Sequence, residues 1–302
     1  MATVSILHPS GDDAPDDGRS GEFFRDGTGT PLMLLHGANM SWRVWRPVLP
    51  FLTGRHDVFV PTMAGHRGGP PIPADVDPGV HVLVDALCDQ MDRAGIETAH
   101  VAGNSLGGWV ALELARRGRA RSVTAISPAG AWRSQRDLVR LLLMFRMART
   151  AIGAPQLRAL AGNPALRRAW LGRVVQHPGR VTSEALLDMV EDAVGCTALG
   201  GALSGRVPLR PLEPLDVAVC PIRIAWAGND RTIPWRRYGH PMRAIIPGAE
   251  FVALPGVGHV PMSDDPRLVA RTILEVTSAV DEAATDPVRR PRRRPTRTKL
   301  TA

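Results

Sequence analysis

Short apolar runs recur along this chain with helical segments between them, and that alternation leaves few architectures open. The runs are PLMLLHG (31–37), HDVFVP (56–61), TAHVAGN (98–104), RSVTAIS (121–127), PIRIAWAGND (221–230) and EFVALPG (250–256). Their length suits strands, and the unbroken apolar stretch in the first suits a strand buried on both faces. The helical segments have their own signatures. Val80, Val84, Leu87, Cys88 and Met91 share one helical face, and residues 106–118 end on a glycine. Residues 266–283 follow Asp264 and Asp265, both N-cap candidates, with Pro266 in the first turn, where a missing N–H does no harm. Alternation of this kind implies an α/β fold, a mostly parallel sheet flanked by helices.

The alternation stops between residues 131 and 215. Leu138, Leu141, Leu142, Phe145 and Ala148 form a helical stripe, and Ala165–Val175 and Ser183–Val194 read as further helices. Pro155, Pro164 and Pro178 interrupt the block. The expected division is a core of 22–130 with 216–284, a helical cap at 131–215, and two flanking segments. Residues 1–21 read as a flexible segment with a short leading strand at Thr3–Leu7. Residues 285–302 read as a basic disordered tail.

Charge sharpens that division. The chain carries +8, and residues 287–302 hold seven basic residues and no acidic one, which leaves the rest near +1. The tail suits nucleic acid or anionic surfaces, although charge blocks are more often only solvated. Lys299 is the only lysine, so the arginine richness of the tail follows a bias of the whole chain. Three cysteines without metal or redox spacing fit a reducing cytoplasm. No apolar run approaches a membrane span, and the N-terminus lacks signal-peptide character. The composition leaves the oligomeric state open.

Ser105 lies in VAGNSLGGWV, after a strand run and at the start of a helix. Gly-x-Ser-x-Gly in that context is the pattern of a nucleophile elbow, with Gly103 and Gly107 allowing strand and helix to approach. A serine hydroxyl needs a base. Of nine histidines, His259 follows the last strand run and precedes the last helix, so it lies at the carboxyl edge of the sheet with Ser105. Asp230 also follows a strand run and can orient that histidine. Backbone N–H groups of Leu106 and Ala38 are the candidates to hold negative charge, with His36 and Gly37 shaping the loop that carries Ala38. His36 is read as structural rather than as a second base.

These motifs together resemble the α/β-hydrolase superfamily, in its serine-nucleophile branch. LLHGAN (34–39), AGHRG (64–68), GNSLGG (103–108), AGNDRTIP (227–234) and GVGHVPMSDDP (256–266) carry the resemblance over roughly residues 22–284. It implies a helical cap inserted after strand six and a catalytic set of Ser105, Asp230 and His259. It also implies an oxyanion hole of Ala38 and Leu106 and no cofactor or metal. VPTMAGHRGGP departs from the usual loop at Thr62, Met63 and Arg67. The expected substrate is a small to medium hydrophobic ester, thioester or lactone. His36, Gly37, Met63, Asn104, Trp109 and Trp132 are expected at the substrate, with Trp42 and Trp45 behind them. The elbow also resembles carbon–carbon bond hydrolases of ring-cleavage pathways, and the superfamily includes non-catalytic ligand-binding members. Family epoxide hydrolases and haloalkane dehalogenases place aspartate at the elbow, and the dienelactone type places cysteine, so Ser105 points away from all three.

Overall fold

A computed structural model describes residues 22–73, 76, 79–150, 163–198, 210–216 and 219–285. The leading strand expected at Thr3–Leu7 and the basic tail from 286 onward lie outside the described residues. Seven strands form one sheet: β1 (Phe23–Asp26), β2 (Thr30–Leu35), β3 (His56–Pro61), β4 (Ala99–Asn104), β5 (Ala120–Ile126), β6 (Ile222–Ala227) and β7 (Glu250–Leu254). Their order is β1-β3-β2-β4-β5-β6-β7. β1 pairs antiparallel with β3, and all other pairs are parallel.

The strand runs form strands because both of their faces are covered. Leu32 and Leu34 enter one core, while Met33 and Leu35 enter the other, as the two-residue period of a strand requires. All four are fully buried. Each such side chain contributes about 2 kcal/mol by leaving water. The core of Met33 and Leu35, taken as the first, is closed by helices α1 (Val80–Arg93) and α2 (Leu106–Arg116), through residues such as Leu87, Met91, Leu112 and Leu114. The second core holds Val269 and Ile273, together with Trp45 and Leu52 from the segment after β2.

Between β5 and β6 lie α3 (Gln135–Thr150), α4 (Pro164–Leu171) and α5 (Ser183–Gly195). The helical block therefore follows the fifth described strand. Helix α5 buries Leu186, Met189, Val190 and Ala193 against the second core. After β6 come α6 (His240–Ile245), the short α7 (Pro261–Asp264) and the long α8 (Pro266–Thr285). No described helix is long and apolar enough to cross a membrane. Cys88, Cys196 and Cys220 are all free thiols, and burial pushes Cys220 up to about 11.

The order of the strands fixes where chemistry can occur. β2 is flanked by β3 on one side and β4 on the other, so the chain reverses its direction of travel across the sheet there. The crevice at such a switch point, beyond the carboxyl ends of the strands, is where open α/β sheets bind ligands.

Candidate active site

Four strand ends bring the expected residues together. His36–Ala38 follow β2, Ser105 follows β4, Asp230 follows β6 and His259 follows β7. Ser105 is the N-cap of α2 and sits at φ 57°, ψ −115°. Such a conformation costs a non-glycine residue on the order of 1–3 kcal/mol and must be held by its surroundings. The holding is visible. Ser105 N–H donates to Ile126 O at 2.9 Å, and Ser105 O accepts from Ala129 N–H at 3.0 Å and Trp109 N–H at 3.1 Å. Gly103 and Gly107 permit the turn. A Cβ at 103 would lie 2.1 Å from Gly107 O, and one at 107 would lie 2.4 Å from Leu35 O.

The His259–Asp230 pair is buried and oriented. Asp230 Oδ2 lies 2.7 Å from His259 Nδ1. Its other oxygen accepts from Thr232 N–H at 2.9 Å and Ile233 N–H at 2.8 Å. A carboxylate only accepts, so Nδ1 carries the proton and Nε2 is the basic nitrogen. Asn104 ties the serine turn to this pair: its amide donates to His259 O at 2.9 Å and to Ile126 O at 3.2 Å. That role was not legible in the sequence, where Asn104 is expected beside the substrate.

The third strand end passes close to the serine. A Cβ at Gly37 would lie 3.4 Å from both Ser105 Cβ and Asn104 Oδ1. The neighbouring Ala38 is half-buried. Leu106 opens α2, so its N–H has no partner within the helix. His36 is fully buried, with Nδ1 donating to Gly37 O at 2.8 Å and Nε2 accepting from Met63 N–H at 2.9 Å. Burial pushes its pKa well below the ordinary histidine value, so it is neutral. Both ring nitrogens are engaged in shaping the loop.

The aromatic expectations divide. Trp109 and Trp132 meet edge to face at 5.1 Å, both nearly buried, and neither indole N–H has a partner among the described residues. Met63 is fully buried in the same core. Trp42 and Trp45 lie in the second core, where Trp42 stacks on Phe24 at 5.6 Å.

One residue of the site region was misassigned from sequence. Asp265 caps α8, accepting from Leu268 N–H at 2.9 Å, as expected of that pair of aspartates. Asp264 does something else. Its carboxylate accepts from the backbone N–H of Gly258 at 2.7 Å, Gln176 at 2.8 Å and His177 at 2.7 Å. It therefore binds the His259 loop to residues 176–177 of the helical block. Val260 N–H to Val174 O at 2.8 Å and Arg231 to Gly172 O at 2.8 Å reinforce that seam.

A profile described as the alpha/beta hydrolase family matches residues 32–272. The chain belongs to the alpha/beta hydrolase family. It is 36% identical over 209 residues to Epoxide hydrolase EphH of Mycobacterium tuberculosis, spanning 67% of this chain and 94% of that protein. It is 38% identical over 109 residues to 2-hydroxymuconate semialdehyde hydrolase of a Pseudomonas species, spanning 34% of this chain and 38% of that one. Among solved structures, a thermophilic esterase from Thermogutta terrifontis superposes with a TM-score of 0.64 at 23% identity, covering 85% of this chain and 93% of the other. At that identity the likeness concerns the fold.

Proposed function

We propose that this member of the family is a serine hydrolase that cleaves a small to medium hydrophobic ester, thioester or lactone through an acyl-enzyme. One observation carries the reading: the strained Ser105 turn is tethered through Asn104 to His259, whose Nδ1 is already bound by Asp230. In this reading Ser105 Oγ attacks the acyl carbon while His259 Nε2 takes its proton. Asp230 stabilises the imidazolium that results. The N–H groups of Ala38 and Leu106 hold the oxyanion, each worth about 3 kcal/mol to the transition state. His259 then protonates the leaving group, and water, activated by the same histidine, releases the acid. Residues 131–215 act as a cap that contributes apolar lining, and the chemistry needs only substrate and water.

Similarity to EphH supports a second reading, in which His259 and Asp230 activate water against an epoxide. Ser105 weighs against the covalent form of that reaction. An epoxide opened by a serine alkoxide leaves an ether, which has no acyl carbon for water to attack. Similarity to the semialdehyde hydrolase supports carbon–carbon bond hydrolysis as a third.

The deciding experiment compares p-nitrophenyl esters of graded chain length, styrene oxide and a ring-cleavage dienone, with the wild type and Ser105→Ala. Ester turnover is expected in the wild type, falling about 10⁴-fold or more in the variant. A fluorophosphonate should label Ser105. Ester turnover that survives Ser105→Ala overturns the proposal, and styrene oxide hydrolysis indifferent to the substitution selects the second reading.

A further inference from the structure

The loop that carries Ala38 continues through Asn39, at φ 60°, to Ser41, and there it meets helix α5 of the helical block. The contact is an ion cluster. Arg43 Nη1 bonds Asp188 Oδ1 at 2.9 Å, and its Nη2 bonds Asp192 Oδ1. Ser41 Oγ accepts from Arg43 Nε at 3.1 Å and donates to Asp192 Oδ2 at 2.6 Å. Arg46 bonds the other oxygen of Asp188 at 2.9 Å. The side chains of Arg43 and Asp192 are each only 3% exposed. Asp188 and Asp192 are four residues apart, so α5 presents both carboxylates on one face.

Stability alone does not explain this arrangement. Desolvation of a buried ion pair commonly cancels its attraction, and apolar residues of similar volume often hold such a seam as well or better. Burial pushes both carboxyl groups above the ordinary aspartate value in spite of the guanidinium groups beside them. The apolar packing of α5 on the second core leaves room at this seam. A cavity of about 160 Å³ runs along it, lined by Met40, Arg43, Asp188, Met189 and Asp192 among others. What the ions supply is direction: a planar guanidinium, one hydroxyl and two carboxylates admit few relative placements of loop and helix.

We propose that Ser41, Arg43 and Asp192 are positioning residues that set the oxyanion loop from the cap, so that the Ala38 N–H is aimed only when α5 is docked. This rests on the acyl-transfer reading above. Binding of the ground state does not depend on that N–H, whereas the tetrahedral intermediate does. Loosening the cluster therefore lowers kcat and leaves KM nearly unchanged.

The test uses the full chain with a p-nitrophenyl ester and a trifluoromethyl ketone, which mimics the tetrahedral intermediate. Ser41→Ala removes the hydroxyl and buries no unpaired charge. It should lower kcat about tenfold and weaken the ketone to the same degree, less than the roughly 100-fold loss from a 1 Å displacement. KM should stay within about twofold of the wild type. Arg43→Met with Asp192→Leu removes the pair and refills its volume. That double variant should regain a wild-type melting temperature and keep the low kcat. Unchanged kcat and ketone affinity in folded Ser41→Ala overturn the proposal, as does recovery of kcat together with melting temperature in the double variant. A loss carried by KM alone also overturns it. Wild-type turnover and phosphonate labelling of Ser105 test the underlying reading separately, so failure of one is distinguishable from failure of the other.

Discussion

Asp264 accepts three backbone hydrogen bonds, two of which join the His259 loop to the helical block, where His177 also reaches Gly256 O at 3.1 Å. Gly258 and Gln176 share one of its oxygens, and His177 takes the other. Asp264→Asn replaces an accepting oxygen by a donating amide of the same shape, which sets a donor against an N–H. Hydrogen bonds to a charged acceptor are worth about 1.5–3 kcal/mol each, so thermal unfolding should reveal a loss of about 2–3 kcal/mol. Because the displaced loop carries His259, ester kcat should fall about tenfold in the folded variant. A variant with full kcat and a lowered melting temperature would confine Asp264 to stability. The placement of Ser105, Asp230 and His259 at strand ends was legible in the sequence because each sits just past a strand run, and strand ends are local features. Asp264 was not, because its donors at Gln176 and His177 are 88 and 87 residues away, and nothing local separates it from the neighbouring cap residue Asp265.

The elements follow the same rule. β3 appears at the residues read from its apolar run, and α1 keeps its amphipathic face. β1 was missed because FFRD has no apolar run and is stabilised by its partner strand. It pairs with β3, and Arg25 holds Asp57 at 2.9 and 2.6 Å. The helical segment after β6 is divided into a wide turn at Trp235–Gly239 and α6, with Pro241 unable to donate at the junction. Helix α8 shows how polar residues can dock an element. His100 on β4 accepts from Ser122 at 2.7 Å and donates to Asp281 of α8 at 3.0 Å, while His56 on β3 bonds Thr277 of α8 at 2.9 Å. Arg121 also reaches Asp281, at 3.3 Å. Burial lowers the His100 pKa in spite of Asp281, with His56 and Arg121 adding to the effect, so the folded protein keeps this ring neutral. Asp281 is lowered as well, chiefly through its hydrogen bond from His100. Below the ordinary histidine pKa of about 6.5 the unfolded chain takes up a proton that folded His100 refuses, so stability falls as pH falls. Melting temperature should therefore decline between about pH 7 and pH 5, and His100→Gln should make that decline shallower, with buried His36 supplying part of the remainder. A decline of unchanged slope in the variant would assign it to other groups.

At the scale of the molecule, the candidate site draws on both halves of the chain that flank the helical block, and the block is stitched to it through Asp264, Arg231 and the Arg43 cluster. Charge is distributed quite differently. Outside residues 287–302 the chain carries about +1, so any long-range attraction to polyanions resides in the seven basic residues of that segment. A chain ending at Asp286 is then expected to show no DNA affinity at about 150 mM salt, where each phosphate contact has lost most of its counterion-release advantage. If the full chain binds, its log affinity should fall with log salt at a slope no steeper than about −6, the limit for seven phosphates neutralised on duplex DNA. Ester kcat and KM should be the same with and without the segment, because the residues of the site all lie between 36 and 264. Titration of a labelled duplex into both proteins at three salt concentrations, beside an esterase assay, checks each part. DNA binding retained by the shortened chain would place the contact on the folded body, and a changed kcat would mean that the segment reaches the site.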